Sequence, residues 1–338
     1  MTRTGIGDGT VPSRARVVAA FATVYVVWGS TYLAIKYAIA TIPPFLMAGS
    51  RFLLAGALLY AFTLRDGGSA PTRRQWLNAS VIGVLLLGLG NGGVVWAELL
   101  VPSGLAALLV AAMPVWMVLL EAVRPGGRRP TALVVAGIAL GLLGQVVLVN
   151  PFSHGPASQS VSLVGVAALL IATMSWAAGS IRARLVELPA SRVRTTAMEM
   201  LAGGAALLVV GAGVGEVPQF LAVRPSAASV VAWLYLVVFG SLLAFTAFVW
   251  LNATVAPARA ATYAYVNPVV AVGLGWLLLG EPVTIRTAIA AAIILGAVLV
   301  INVAGSRAPT RLAATARERR ADTGDAAASC AARLQPDG

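Results

Sequence analysis

VPSGLAALLVAAMP, residues Val101 to Pro114, and VAPARAATYAYVNP, residues Val255 to Pro268, stand in register with each other at an offset of 154. Trp96 and Trp250 pair at the same offset. Further upstream, VVWGS around Trp28 pairs with MSWAAGS around Trp176, and RFLLAG (Arg51 to Gly56) with EMLAGG (Glu199 to Gly204), both at an offset of 148. The small drift between the two offsets is an ordinary loop insertion. Internal repetition of this kind decides architecture before any single motif does.

The solvent follows from composition. Of 338 residues, 59% are apolar and 11% charged, and the mean hydropathy is +0.87. A water-soluble domain holds about 45–50% apolar and about 25% charged residues, so this chain is built for lipid. Apolar runs fall at about 17–37, 44–64, 76–96, 103–122, 131–149, 161–181, 195–214, 229–250, 259–279 and 284–303. A membrane helix needs roughly 20 such residues, and lipid leaves no partner for irregular backbone, so each run reads as helix. The expected fold class is all-α integral membrane, with ten transmembrane helices. Five spans per repeat is an odd number, so the second repeat enters the membrane upside down: two inverted five-helix repeats.

The expected divisions are a cytoplasmic tail (1–16), a first repeat (17–150), an extracytoplasmic linker (151–160), a second repeat (161–304) and a disordered cytoplasmic tail (305–338). The charge of +12 comes from 23 Arg and one Lys against 12 acidic residues. Read alone it suggests nucleic acid, but its placement says membrane. With the amino terminus in the cytoplasm, all basic residues except Lys36, Arg51, Arg224 and Arg286 fall on the cytoplasmic side, as the positive-inside rule requires. Both termini are then cytoplasmic, in a bacterial inner (plasma) membrane. Arg14 and Arg16 before an apolar run, with Ala38-Ile39-Ala40 after it, mimic a secretory signal. The first span has a counterpart in the second half, which a discarded peptide would lack.

VWGSTYLAIK (Val27 to Lys36), RFLLAG, VPSGLAALL with Met113-Pro114, and in the second half SW, MLAGG, YVNPVVAV and LLLGEP (Leu277 to Pro282) together resemble the EamA branch of the drug/metabolite transporter superfamily, ten-span bacterial exporters. The resemblance covers about residues 17–304. It implies export of amino acids, other metabolites or lipophilic drugs, with the spans around Met113-Pro114 and Tyr263 to Pro268 lining a central cavity. Two features depart from it: RPGGRRP (Arg124 to Pro130) stands where a Gly-Glu-Arg turn is frequent, and Glu199 where Gln is usual.

Arg51 and Glu199 are the ionisable side chains placed well inside spans, where a charge costs roughly 2.5–3.5 kcal/mol even on mild scales. Arg51 either offers a cation to a substrate carboxylate or braces its own half. Glu199 either carries a coupling proton or reaches the interface. Lys36, Glu98 and Glu121 lie near span ends and are expected to snorkel to water. Asn91, among the glycines of GLGNGG, lines a cavity or bonds between helices. Gly88/Gly92 and Gly137/Gly141 are packing faces. Trp28, Trp96, Trp176 and Trp250 form a belt, pack, or face solute. Tyr263, Tyr265 and Asn267 before Pro268, with Met113 and Pro114, are the expected substrate wall, because proline frees a carbonyl that needs a polar neighbour. Glu281 in the GEP turn is an anchor at a helix end.

Inverted repeats place substrate at the seam between halves and expose it to each side in turn. The expectation is therefore a secondary transporter exporting a small metabolite, an amino acid or relative, coupled to protons, without cofactor or metal. The alternatives are efflux of lipophilic cations or uncoupled facilitation. An intramembrane enzyme would need a nucleophile and base, paired carboxylates or a metal cluster within spans; one Cys (Cys330) and one His (His154) supply none of these. The partners implied are a small-molecule substrate and membrane lipid, with homodimer formation compatible with the sequence and no nucleic acid.

Overall fold

The structure, a computed structural model, describes residues 13–66, 69–111, 113–126, 130–149, 162–254 and 263–307. The expected amino-terminal tail to residue 12, the linker with His154, and the tail from 308 with Cys330 lie outside the described residues, as do residues 127–129 of RPGGRRP and 255–262 of the second repeat stretch.

All regular structure among the described residues is helical. α1 spans Arg14–Ala38, α2 Pro44–Thr63, α3 Arg73–Gly83, α4 Gly92–Ala97, α5 Ser103–Val110, α6 Met113–Val123 and α7 Ala132–Val149. They are followed by α8 Leu163–Ala183, α9 Arg192–Gly213, α10 Glu216–Ala222, α11 Ala227–Tyr235, α12 Ala244–Thr254, α13 Tyr263–Leu279 and α14 Ile285–Arg307. Two eight-residue π-helical segments, π1 (Val84–Asn91) and π2 (Leu236–Leu243), join α3 to α4 and α11 to α12. Eight helical stretches, from Arg14–Ala38 to Ala227–Phe248, are long and apolar enough to cross a membrane, and two shorter apolar helices, Val266–Leu279 and Ile285–Ile301, follow. Eight of the expected runs thus coincide with stretches of spanning length and the last two with shorter apolar helices among the described residues, while α10, seven residues that interrupt the link after α9, was not expected.

Side chains decide where helices start. Ser13, Thr72, Ser162, Ser191 and Ser226 each accept a backbone N–H from three residues on, which closes the first turns of α1, α3, α8, α9 and α11. α2 and α5 follow Pro43 and Pro102, and neither has a capping side chain from its own N-cap.

Packing follows the small residues. α2 runs along α9 and α7 along α14; α1 lies against α12 and α13, π1 and α4 against α8, α5 against α13, and α6 against α8. The sharpest crossing is α3 over α9. A Cβ on Gly83 would lie 2.2 Å from the Glu199 carbonyl oxygen, and one on Gly203 2.6 Å from the Gly83 carbonyl oxygen. Of the glycine faces expected from sequence, Gly92 meets Leu207, Gly137 meets Ile301, and Gly141 meets Val115 and Ala297, whereas Gly88 is looser. Without a hydrophobic drive between helices in lipid, such close approach is what holds them.

Gly83→Ala should therefore force α3 off α9 and lower the melting temperature in detergent by several degrees, since overpacking costs about 1–3 kcal/mol. Gly273→Ala, where an added Cβ meets nothing within 4 Å, is the control and should leave the melting temperature unchanged or slightly raised. Equal melting curves for both variants would contradict the crossing.

Candidate functional site

A π-helical turn spaces its hydrogen bonds i→i+5, differently from α-helix, and recurs at functional sites. Both π segments here are met by side chains from a neighbouring span. In π2, the Gly240 carbonyl accepts from Trp28 Nε1 at 3.2 Å, and the Ser241 hydroxyl accepts from Arg51 Nε at 3.0 Å. In π1, the Leu85 carbonyl accepts from Ser175 Oγ at 2.8 Å. The ring of Trp176, next along α8, lies against Gly90. Asn91 closes π1, and its Oδ1 is buried with no hydrogen-bond partner.

Around Trp28 the rings gather. Its centroid is 5.0 Å from Phe248, 5.2 Å from Tyr263 and 6.3 Å from Phe245, and Phe248 meets Tyr263 edge-on at 5.4 Å. These are favourable aromatic geometries, and they draw α1, α12 and α13 to one wall. Phe245 and Phe248 were not singled out from sequence; their i, i+3 spacing on one face of α12 is the signal that was available.

Arg51 is 5% exposed. Besides Ser241, its guanidinium carbon sits 4.4 Å from the Phe52 ring centroid, and its Nη1 is buried without a hydrogen-bond partner. A guanidinium carries five donors in a rigid fork suited to a carboxylate, so the site holds a fixed cation with donors to spare. Beside it, Ser30 and Tyr235 share a hydrogen bond of 2.6 Å, and Trp233 Nε1 donates to Ser50 Oγ at 3.1 Å. Trp28, Arg51 and Tyr263 are thus brought together through π2.

The other expected residues lie elsewhere. The Asn267 amide nitrogen, in the orientation that satisfies it, donates to the carbonyls of Tyr263 (3.2 Å) and Tyr25 (3.3 Å), tying α13 to α1 one residue before Pro268. Met113 opens α6 after the break that ends α5 and is half-buried. The side chains of Pro114 and Tyr265 lie outside the described residues. Glu199 is buried on α9, at the crossing with Gly83.

Of the remaining acids, two act as caps, Glu121 forms an ion pair, and Glu98 is the exception. Glu281 accepts from Ser103 N (2.7 Å), Ser103 Oγ (2.9 Å) and Gly104 N (3.0 Å), so it caps α5 from afar, in keeping with its expected anchoring role. Glu216, unremarked in the sequence, does the same for α2 through Phe45 N (3.1 Å) and Leu46 N (2.8 Å). Glu121 pairs with Arg124 at the end of α6. The expectation that Glu98 snorkels to water is corrected: Glu98 is 0% exposed, and both its carboxyl oxygens lack a hydrogen-bond partner. Lys36, which stays partly exposed, donates to the carbonyls of Glu98 and Val101, the latter at 3.1 Å. These bonds hold the link between α4 and α5 against α1, with the carboxyl turned away from water. Burial raises the Glu98 carboxyl well above the ordinary carboxylate range, Lys36 pulls it down, and Glu281 pushes it up.

Set beside known proteins, residues 16–150 and 163–303 each match the EamA-like transporter family. The chain is 40% identical over 279 residues to a protein named "Uncharacterized inner membrane transporter YedA" of Escherichia coli (strain K12), covering 82% of this chain and 88% of that one. It is 32% identical over 167 residues, about half of each chain, to a "Probable amino-acid metabolite efflux pump" of the same organism. A solved structure titled "Crystal structure of protein" shares the fold at a TM-score of 0.58 and 22% identity, over 88% of this chain and 100% of that one.

The caps supplied from afar give a direct test. Glu216→Ala removes two charge-assisted hydrogen bonds, each worth about 1.5–3 kcal/mol, and should lower the melting temperature and speed amide exchange at Phe45 and Leu46. Exchange unchanged at those two amides would refute the cap.

Proposed function

We propose, because the chain belongs to the EamA-like transporter family, that it is a secondary transporter of the bacterial inner membrane which exports a small amphipathic metabolite, an amino acid or relative, by alternating access. The observation that carries the substrate class is Arg51: a buried guanidinium with an unmet donor, linked through π2 to the aromatic wall of Trp28, Phe248 and Tyr263. A cation beside rings fits a solute with a carboxylate at one end and an apolar body at the other. The name of the efflux relative, which extends to amino-acid metabolites, agrees with that class.

Alternating access needs two halves related by inversion. Supporting this reading, the helix contacts fall into matched sets. α2 with α9 and α7 with α14 join corresponding spans, and the packing of α1 on α13 mirrors that of α6 on α8. The two π segments fall at corresponding places, each satisfied by the span that carries Trp28 or Trp176. In this arrangement both termini are cytoplasmic, residues 17–150 and 161–304 are the two repeats, and Trp28, Arg51, Asn91, Met113, Trp176, Tyr263 and Asn267 line the seam. No phosphate-binding Gly-x-x-x-x-Gly-Lys loop occurs in the sequence, so ATP is not the direct drive, and the proposed drive is a proton gradient, with uncoupled facilitation the alternative. One proton crossing 100 mV releases about 2.3 kcal/mol, and each tenfold of solute gradient requires about 1.4 kcal/mol. One proton thus sustains a gradient of roughly fortyfold. Glu199, a buried acid that caps no helix among the described residues, is the proposed carrier.

The ring cluster also favours a second reading, efflux of lipophilic cations held by aromatic faces. Arg51 separates the two. In proteoliposomes with a pH difference, Arg51→Gln should cut transport of the best-moved radiolabelled amino acid at least tenfold, with Arg51→Lys intermediate because it keeps charge without the fork. Efflux of ethidium, the cationic probe, should persist or rise. Amino-acid transport undiminished in Arg51→Gln would end the carboxylate assignment.

A further inference from the structure

Glu98 has an arrangement that neither the family match nor the transport reading uses. Its carboxyl sits in the turn between α4 and α5, at the same end of the bundle as several contacts that join spans. Tyr37 reaches the Leu278 carbonyl, Thr41 bonds with Ser229, Ser229 donates to the Tyr37 carbonyl, Glu216 caps α2, and Glu281 caps α5. These contacts lace the spans together at this end, and Glu98 is buried there.

The charged and titratable groups around it come from several elements. Lys36 and Tyr32 face it from α1, and Glu281 from the turn before α14; Tyr263 on α13 stands on the far side of Tyr32. α8 packs on the same turn through Gly165, which lies against Val101, Leu100 and the Ala97 carbonyl, and its titratable residue, Arg182, is at the opposite end of the helix. On α2 the titratable groups are Arg51, bonded to Ser241, and Tyr60, which lies against Trp76 toward the far end of the helix. Glu281 is fully engaged by α5. Lys36 uses two of its three donors on the carbonyls of Glu98 and Val101.

A dry carboxylate with neither donor nor ion pair is strongly unfavourable, whereas the neutral acid is far less so. Closure of this end therefore demands a proton on Glu98. Opening admits water, and the ionised carboxylate then finds the third Lys36 donor within reach of its own turn. The two states differ by one proton and one contact, which is what a bistable element coupled to protonation requires.

We propose that Glu98 is a proton-binding latch: each closure of the laced end takes one proton from the water on that side, and each opening returns it. On closing, hydronium gives its proton to a carboxylate oxygen, an O–H bond forms, the Lys36 contact to the carboxylate breaks, and the ammonium remains on the two carbonyls. On opening, the O–H bond breaks and the proton passes back to water. No other reactant is needed. The latch rests on the reading that the two ends open by turns, and it assigns Glu98 one half of the proton exchange which that reading requires.

The test uses the full chain in detergent and needs no substrate. Amide exchange at residues 98–104 is followed from acid to alkaline pH and corrected for intrinsic base catalysis. The wild type should show an increase of at least tenfold as Glu98 ionises and the end opens, while Glu98→Gln should stay protected at every pH. Identical profiles in the two proteins would overturn the latch. If Glu98→Gln does not fold, infrared spectroscopy of the wild type decides: a carbonyl band of a protonated carboxylic acid that disappears at alkaline pH and is shifted in Glu98→Asp supports it, and absence of that band refutes it. A pH step in exchange from a protein that moves none of the amino acids or ethidium would leave the latch standing and remove the transport reading instead.

Discussion

Two π-helical segments each receive a side-chain donor from a neighbouring span, and the organisation of this chain follows from those two contacts. Ser175 and Trp28 reach across from α8 and α1 to Leu85 and Gly240. Each π segment is thereby tied to one particular neighbour. That tie fixes α1 against the span of α11 and α12, and α8 against the span of α3 and α4, more sharply than apolar packing could, since apolar side chains do not distinguish a neighbouring helix from a lipid tail.

Arg51 gains its position from the same segment. Its Nε bond to Ser241 lies one residue from the carbonyl held by Trp28, so cation and aromatic wall are placed by one stretch of backbone. A guanidinium on a helix facing lipid would snorkel or be expelled. Here it is locked by π2 and the adjacent Phe52 ring, with a donor left over. A binding group whose own fold leaves it incompletely satisfied is preorganised for a ligand that completes it.

How much of this the sequence disclosed depends on range. The spans were legible because hydropathy is additive along the chain, and the residue pairs Trp28/Trp176 and Arg51/Glu199 were visible because repetition preserves spacing. Glu281 was rightly read as an anchor, since a glutamate in a Gly-Glu-Pro turn has little else to do at a span end. Neither π segment was readable: the sequence of an eight-residue apolar run does not say whether a donor waits on a neighbouring helix. Phe245 and Phe248 were hidden among other apolar residues of α12, without a counterpart in the repeat to mark them. Glu98 was misread for a definite reason. Closeness to a span end normally means closeness to water, but here the turn from Leu99 to Val101 folds back over α1 and the lysine binds that turn from beneath.

The distribution of contacts also bears on which parts can move in the proposed cycle. The long crossings of α2 with α9 and of α3 with α9 rest on glycine against backbone, where the gap is already below an added Cβ. Separating them would forfeit dispersion contacts for which lipid gives no close substitute. The end contacts are different in kind: hydroxyls on hydroxyls, carboxylates on helix amides, ammonium on carbonyls. Water can replace each of these, the neutral ones against a net worth of about 0.5–1.5 kcal/mol and the charge-assisted ones against about 1.5–3 kcal/mol. In the proposed cycle a rocking motion would hinge on the glycine spine and open at the polar lacing. Glu98 differs from these contacts, because in the proposed latch opening changes its charge as well as its surroundings.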